Sequence, residues 1–132
     1  MGVSPAQKIR FRCRTAYPRS VSLGLGEEKP IDIGAEQLLA AENNDRKIAV
    51  EVKSLIGESR IADLEQALSQ YTLYYDILKR TESERQLYLA IPLNAFTELF
   101  DGEKFGQILL DNNRLNLVVF NPKIEEIVQW IA

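Results

Sequence analysis

The chain has 132 residues, 16 basic and 19 acidic side chains, a net charge of −3, no histidine, one cysteine and 45% hydrophobic residues. That length builds one core, and the apolar fraction together with 27% charged residues belongs to a folded globular domain and not to a disordered chain. The lack of histidine excludes Ser-His-Asp triads, Cys-His dyads and histidine-ligated zinc or haem, and the lone Cys13 excludes an internal disulfide or a CxxC metal site, so chemistry falls to carboxylates, lysine, hydroxyls and hard metal ions.

Residues 1–22 form a basic N-terminal segment, with Lys8, Arg10, Arg12, Arg14 and Arg19 and no acid, which leaves eleven basic and nineteen acidic groups for residues 23–132. Pro5 and Pro18 interrupt it, and we read neither helix nor strand periodicity there. A basic arm on an acidic body can grip phosphates, and it can equally be an unstructured end. The basic start lacks the apolar stretch of roughly 7–15 residues that follows in a signal peptide. No window reaches the ~18 continuous apolar residues of a membrane span. We therefore expect no membrane association, a cytoplasmic protein and a single domain over 23–132.

Residues 23–30, with two glycines and Pro30, read as a loop. Residues 31–41 read as one strand, although 36–42 also has good helix propensity. A turn cluster at Glu42-Asn43-Asn44-Asp45 follows, then a strictly alternating strand at 47–53 with Ile48, Val50 and Val52 on one side and Ala49, Glu51 and Lys53 on the other. Two such runs around that turn predict an antiparallel hairpin. A long helix opens at Ser59, its apolar stripe formed by Ile61, Leu64, Leu68, Tyr71, Tyr75 and Leu78. A strand at 86–91, short helices at 94–100 and 107–111, and a closing hairpin of 115–120 and 126–131 complete an α/β fold, a mixed sheet flanked by helices.

The charged residues of the alternating strand are the place to look for chemistry. Glu51 and Lys53 point the same way about 6.5 Å apart, with small Ala49 beside them. Asp32 precedes Glu51 by 19 positions on what reads as the partner strand. Two carboxylates and a peptide carbonyl, that of Val52, make an oxygen site suited to Mg²⁺ or Mn²⁺, and a nearby lysine can orient water or offset charge at a phosphate. The plainer reading of Glu-x-Lys is a charged pair on a solvated strand face. On the following helix Gln66, Gln70 and Tyr74 recur at four-residue steps, as a polar flank or as groups facing the same cleft.

Asp32…Glu51-x-Lys53 followed by helical Gln70-x-x-x-Tyr74 resembles the PD-(D/E)xK nuclease superfamily with its restriction-endonuclease-like core. Across residues 23–132 the chain resembles the XisH family more closely: Ile31-Asp-Ile-Gly-Ala-Glu36, Lys47-Ile-Ala-Val-Glu-Val-Lys-Ser54, Asp63-Leu-Glu-Gln-Ala-Leu68, Tyr88-Leu-Ala-Ile-Pro92 and Phe120-Asn-Pro-Lys-Ile-Glu-Glu-Ile-Val-Gln-Trp130 carry the likeness. That family is described as controlling excision of the fdxN DNA element during heterocyst differentiation in cyanobacteria, together with a small XisI-like protein partner and a site-specific recombinase. The resemblance implies metal ligation by Asp32 and Glu51, a catalytic Lys53, and a supporting Gln70. Proline is absent before Asp32, and residues 1–22 do not look like the helix that normally precedes the first strand. Three functions follow as expectations. One is a Mg²⁺- or Mn²⁺-dependent DNA endonuclease or nickase. Another is a non-catalytic accessory factor that binds DNA or a protein partner and directs the recombinase, and the third is a degenerate nuclease core serving only as an interaction scaffold. A homo-oligomer is expected to be compatible with each. The acidic body speaks against tight DNA binding outside the basic segment.

Overall fold

The computed structural model describes residues 10–11, 21–22, 26–33, 36–43, 46–100, 106–112 and 115–132. A short antiparallel ribbon joins β1 (Arg10–Phe11) to β2 (Val21–Ser22), pairing Arg10 with Ser22 and Phe11 with Val21. The rest of the basic segment lies outside the described residues. The main sheet holds β3 (Gly26–Ile33), β4 (Glu36–Asn43), β5 (Arg46–Val52), β6 (Gln86–Pro92), β7 (Leu117–Asn121) and β8 (Glu126–Ile131), in that spatial order. The pairs β5–β6 and β6–β7 are parallel and the other three antiparallel. The expected mixed sheet flanked by helices is therefore what the chain forms.

Chirality decides where the helices go. Helix α1 (Arg60–Thr81) links β5 to β6, while α2 (Leu93–Phe100) and α3 (Gln107–Asp111) link β6 to β7. Both links join parallel strands and step the same way across the sheet, so right-handed crossovers place all three helices on one face. On that face Leu64, Ala67, Tyr71, Tyr74 and Leu78 of α1, and Ala95, Leu99 and Phe100 of α2, pack on Ile33, Leu38, Ala49, Leu87, Leu89, Ile91 and Leu117. The opposite face gathers Ala41, Ile48, Val50, Tyr88, Ala90, Val118, Phe120 and Ile127 into a second core. Being covered on both sides, β6 and β7 read as nearly unbroken apolar runs.

Local sequence accounts for the element ends. The Ser59 hydroxyl accepts from the Ala62 amide at 3.2 Å and caps α1, with Asp63 in the first turn and Lys79 and Arg80 in the last, each favourable to the helix dipole. Arg60 ties the start of α1 to α2 by donating to Glu98 at 2.6 Å and to the Asn94 carbonyl at 3.2 Å. The acid of that pair is more than half exposed, so the link orients the helices more than it stabilises them.

Gly106 is buried where the chain enters α3, and a Cβ there would lie 2.7 Å from the Leu99 carbonyl oxygen and against the Phe100 ring. Backbone cannot give way as a flexible side chain can. Gly106→Ala is accordingly expected to destabilise by about 1–3 kcal/mol, read as a lower urea midpoint at unchanged slope.

Three expectations need correction. The strand expected at 31–41 is two strands, β3 and β4, antiparallel to each other with Ile33 opposite Glu36. Part of the expected 23–30 loop is strand, because β3 begins at Gly26. The buried stripe of α1 runs through Ala67 and Tyr74, and not through Ile61 and Tyr75, which are exposed. From Leu64 both stripes advance by steps of 3 and 4 and fit a 3.6-residue turn equally well, so packing on the sheet and not spacing chooses between them.

Candidate functional site

Strand alternation sends Ala49, Glu51 and Lys53 toward the face that α1 covers. Among the described residues Glu51 is the buried charged side chain, 2% exposed, and both its carboxylate oxygens are shut off from solvent. The flanking register sets Glu51 opposite Leu89 of β6, a core residue. Taking a carboxylate out of water costs several kcal/mol before any compensation by its neighbours. Lys53, two residues on, is half-buried past the end of β5, and its amide donates to the Ala90 carbonyl at 2.9 Å. Thus the expected pair is present, but it lies under a helix and not on a solvated strand face.

The chain then turns sharply. Leu55 takes a left-handed backbone with φ of 53° while its side chain is buried in the core beneath α1. A leucine in that region is strained by about 1–3 kcal/mol and is held there by its packing. The turn frees the end of β5, and the Gly57 amide pins the following loop by donating to Asp63 Oδ2 at 2.7 Å.

Helix α1 supplies the roof. Gln66 is exposed, Gln70 is half-buried with its Oε1 shut off from solvent, and Tyr74 is buried, so the three do not share one polar flank. Next to Gln70, the Tyr71 hydroxyl donates to the Leu87 carbonyl at 3.1 Å and accepts from the Asn116 amide at 3.2 Å, which ties α1 to β6 and to the start of β7. Asn116 Nδ2 also donates to Leu87 O. Burial pushes the Tyr71 hydroxyl above its ordinary value near 10, the Asn116 amide opposes this, and the charges of Tyr75, Tyr88 and Glu51 add to the rise. The field of the Glu51 carboxylate therefore reaches the underside of α1.

A pH dependence follows from this. Burial also raises Tyr88, partly offset by the charge and hydrogen bond of Arg46. A tyrosine raised in the folded state contributes its full stability below its unfolded value and loses it as pH climbs through the folded one. Unfolding free energy should fall as pH rises beyond about 10, and less steeply in Tyr71→Phe. That variant should also be about 1–3 kcal/mol less stable at neutral pH, because the Asn116 amide loses its acceptor. Urea unfolding at several pH values checks both.

The second expected acid is displaced. Asp32 lies on β3, one strand beyond the neighbour of β5 and so roughly 10 Å from it across the sheet, and its side chain falls outside the described residues. The β4–β5 ladder runs from Asn43↔Arg46 to Leu39↔Val50. Glu36, which the sequence reading passed over, opens β4, the strand that neighbours β5. The Val52 carbonyl faces β4 just past the last rung, since the odd-numbered Lys53 turns its amide toward β6.

A buried carboxylate with a strand-end carbonyl beside it suits Mg²⁺ or Mn²⁺. Among the described residues, however, no group of three or more His, Cys, Asp or Glu side chains converges on one point. Glu51 and Val52 fit the ion in part, and completing the site requires an acid from the β3–β4 hairpin.

Comparison with known proteins gives a consistent answer. The family model described as XisH protein matches residues 15–128. The crystal structure of an XisH family protein from Nostoc punctiforme PCC 73102 is 36% identical and superposes with a TM-score of 0.68, covering 79% of this chain and 83% of that one. The crystal structure of an fdxN element excision controlling factor protein from Anabaena variabilis is also 36% identical, with a TM-score of 0.67 and coverage of 79% and 82%. No curated protein matches the chain. Among the described residues no helix is long and apolar enough to cross a membrane.

Proposed function

The chain belongs to the XisH family, and from that premise we propose that it controls excision of an fdxN-type DNA element by cutting or nicking DNA with Mg²⁺ or Mn²⁺ at a PD-(D/E)xK site on a restriction-endonuclease-like core. The observation that carries this reading is the carboxylate of Glu51, buried to 2% exposure at the end of a strand with Lys53 two residues beyond it. A carboxylate held out of solvent at a strand end, with a lysine two residues beyond it, is the kind of group a metal-dependent site uses.

In this reading Glu51 and the Val52 carbonyl hold the ion, together with an acid of the β3–β4 hairpin. Glu36 is in register with Ile33 on the Glu51 face, while Asp32 takes the alternate register position, so a role for it requires the strand end to twist. When bound, the ion neutralises phosphate charge and lowers the pKa of a coordinated water. Lys53 orients the attacking water and offsets negative charge at the phosphate oxygens. Gln70 positions the Glu51 side of the site from α1. Duplex contact falls to Lys8, Arg10, Arg12, Arg14 and Arg19, because residues 23–132 carry a net negative charge. The protein would act in the cytoplasm of a cyanobacterial cell.

Mn²⁺ binding followed by calorimetry is the test. Affinity should fall as pH drops from about 7 to about 4, as carboxylates protonate, and should vanish in Glu51→Gln. Comparing Asp32→Asn with Glu36→Gln then identifies the second acid. Flat binding over that range, or binding untouched by Glu51→Gln, would refute the site.

The net negative charge of residues 23–132, which opposes tight hold on phosphates, favours a second reading, a non-catalytic accessory factor. It would use the same fold to engage an XisI-like partner, a second copy of itself or DNA, and so direct a site-specific recombinase. Under that reading the chain neither binds Mn²⁺ nor cuts DNA.

A further inference from the structure

Strands β5, β6 and β7 run parallel, so their C-terminal ends meet at one end of the sheet, the end that holds Glu51 and Lys53. Two non-glycine residues among the described ones have a left-handed backbone, and both stand in turns at this end. Leu55 follows β5 with φ of 53°, and Glu125 follows β7 with φ of 54°. Such strain gathers where a chain must hold one shape for function. Each strained residue adjoins an isoleucine turned to solvent. Ile56 is 73% exposed, the most of any large apolar side chain among the described residues, and Ile124 is 51% exposed.

The turn that carries Ile56 is fastened on both sides. Leu55 is 5% exposed in the core beneath α1. Beyond Ile56, the Gly57 amide donates to Asp63 Oδ2 at 2.7 Å. A Cβ on residue 57 would lie 2.6 Å from that oxygen, so the approach depends on glycine. A loose loop would fold an isoleucine back onto apolar surface, whereas this one is held out in water. Its neighbours in the turn are the polar Lys53, Ser54, Glu58 and Ser59. That is the setting of a single aliphatic wedge entering a base stack, and not of the broad apolar patch that meets a protein. The reach is right as well. Five residues separate Glu51 from Ile56 and span at most roughly 17 Å. At roughly 3.4 Å per nucleotide, that keeps Ile56 within about five base pairs of a phosphate at Glu51.

We propose that Ile56 is a wedge that inserts between base pairs of duplex DNA beside the phosphate held at Glu51 and Lys53. Opening one step there loosens the backbone where it is cut, and it makes the chain favour steps that unstack easily. The inference rests on the reading of Glu51 and Lys53 as a DNA site.

The full-length chain is tested on a duplex carrying 2-aminopurine in place of adenine, with Ca²⁺ replacing Mn²⁺. Unstacking brightens 2-aminopurine. The native chain should raise the emission several-fold, Ile56→Ser bound to the same extent should leave it unchanged, and Ile56→Leu should restore it. Because the side chain is exposed, Ile56→Ser should keep the native melting temperature. No rise with the native chain, or an equal rise with Ile56→Ser, would overturn the wedge. So would self-association in sedimentation that Ile56→Ser abolishes while the DNA signal stays the same, which would make the turn a protein contact. Nicking in Mn²⁺ gives a second readout. Ile56→Ser should nick matched duplex about tenfold more slowly, and a mismatch, already unstacked, should restore the rate. Bright 2-aminopurine without any nicking would keep the wedge and remove the metal-dependent reading. Nicking indifferent to Ile56→Ser would do the reverse.

Discussion

Replacing Glu51 with glutamine is expected to raise the stability of the fold by about 1–3 kcal/mol while abolishing metal-dependent cleavage. Glutamine keeps the shape and removes the charge. The carboxylate is 2% exposed on a sheet face roofed by α1 and bordered by Leu89 and Ala49, so desolvation weighs on its ionised form. A half-buried Lys53 can still reach water when the acid is gone, which spares the variant the penalty of a stranded buried cation. A rise in urea midpoint together with lost function is the signature of a residue kept for chemistry. A drop of several kcal/mol would instead make Glu51 part of a structural ion pair, and the site would lose its foundation.

Lys53→Ala is expected to do the opposite of a core substitution, lowering cleavage by about 10²–10³-fold and shifting stability by only about 0.5 kcal/mol. Lys53 is half-buried beyond the last residue of β5, and its backbone tie to Ala90 survives any change of side chain. Loss of a charge that acts on the developing phosphate negative charge should lower the rate at saturating DNA more than it weakens DNA binding. Cleavage rates at saturating DNA, with thermal melting of the same samples, separate these effects. An unfolded Lys53→Ala would make the lysine structural.

Much of this fold is legible in the residues, for identifiable reasons. Strict alternation at 47–53 marks β5, the Ser59 cap and its periodic apolar residues mark α1, and the two antiparallel pairs β4–β5 and β7–β8 form as their sequences predict. What the pattern hides is instructive. The apolar run through 31–41 carries no Asn-Gly or Asp-Gly to mark a break, so two strands read as one and Asp32 seems to sit on the strand beside β5 when that strand is β4. A helix stripe can slip by one residue without offending the pattern, and Tyr74 and Tyr75 exchange their burial for that reason. Glu51 looks like a solvated strand residue because alternation tells which residues share a face but not what covers it. Crossover handedness supplies that answer, since it sets α1 on the Glu51 side. At the N-terminus two prolines mask a seven-residue alternation that becomes visible once Phe11 and Val21 are known to pair.

Membership in the XisH family fixes the architecture and leaves the chemistry to a single strand end. Fold alone does not decide between a cutting enzyme and a scaffold that guides one, because function lives in the site. Conversion of supercoiled plasmid to nicked and linear forms in Mn²⁺ or Mg²⁺, by the purified chain beside its Glu51→Gln variant, addresses the central claim directly. Nicking by the native chain that disappears in the folded variant is the predicted result. Identical cleavage by both chains, or none by either while both remain folded, would contradict it.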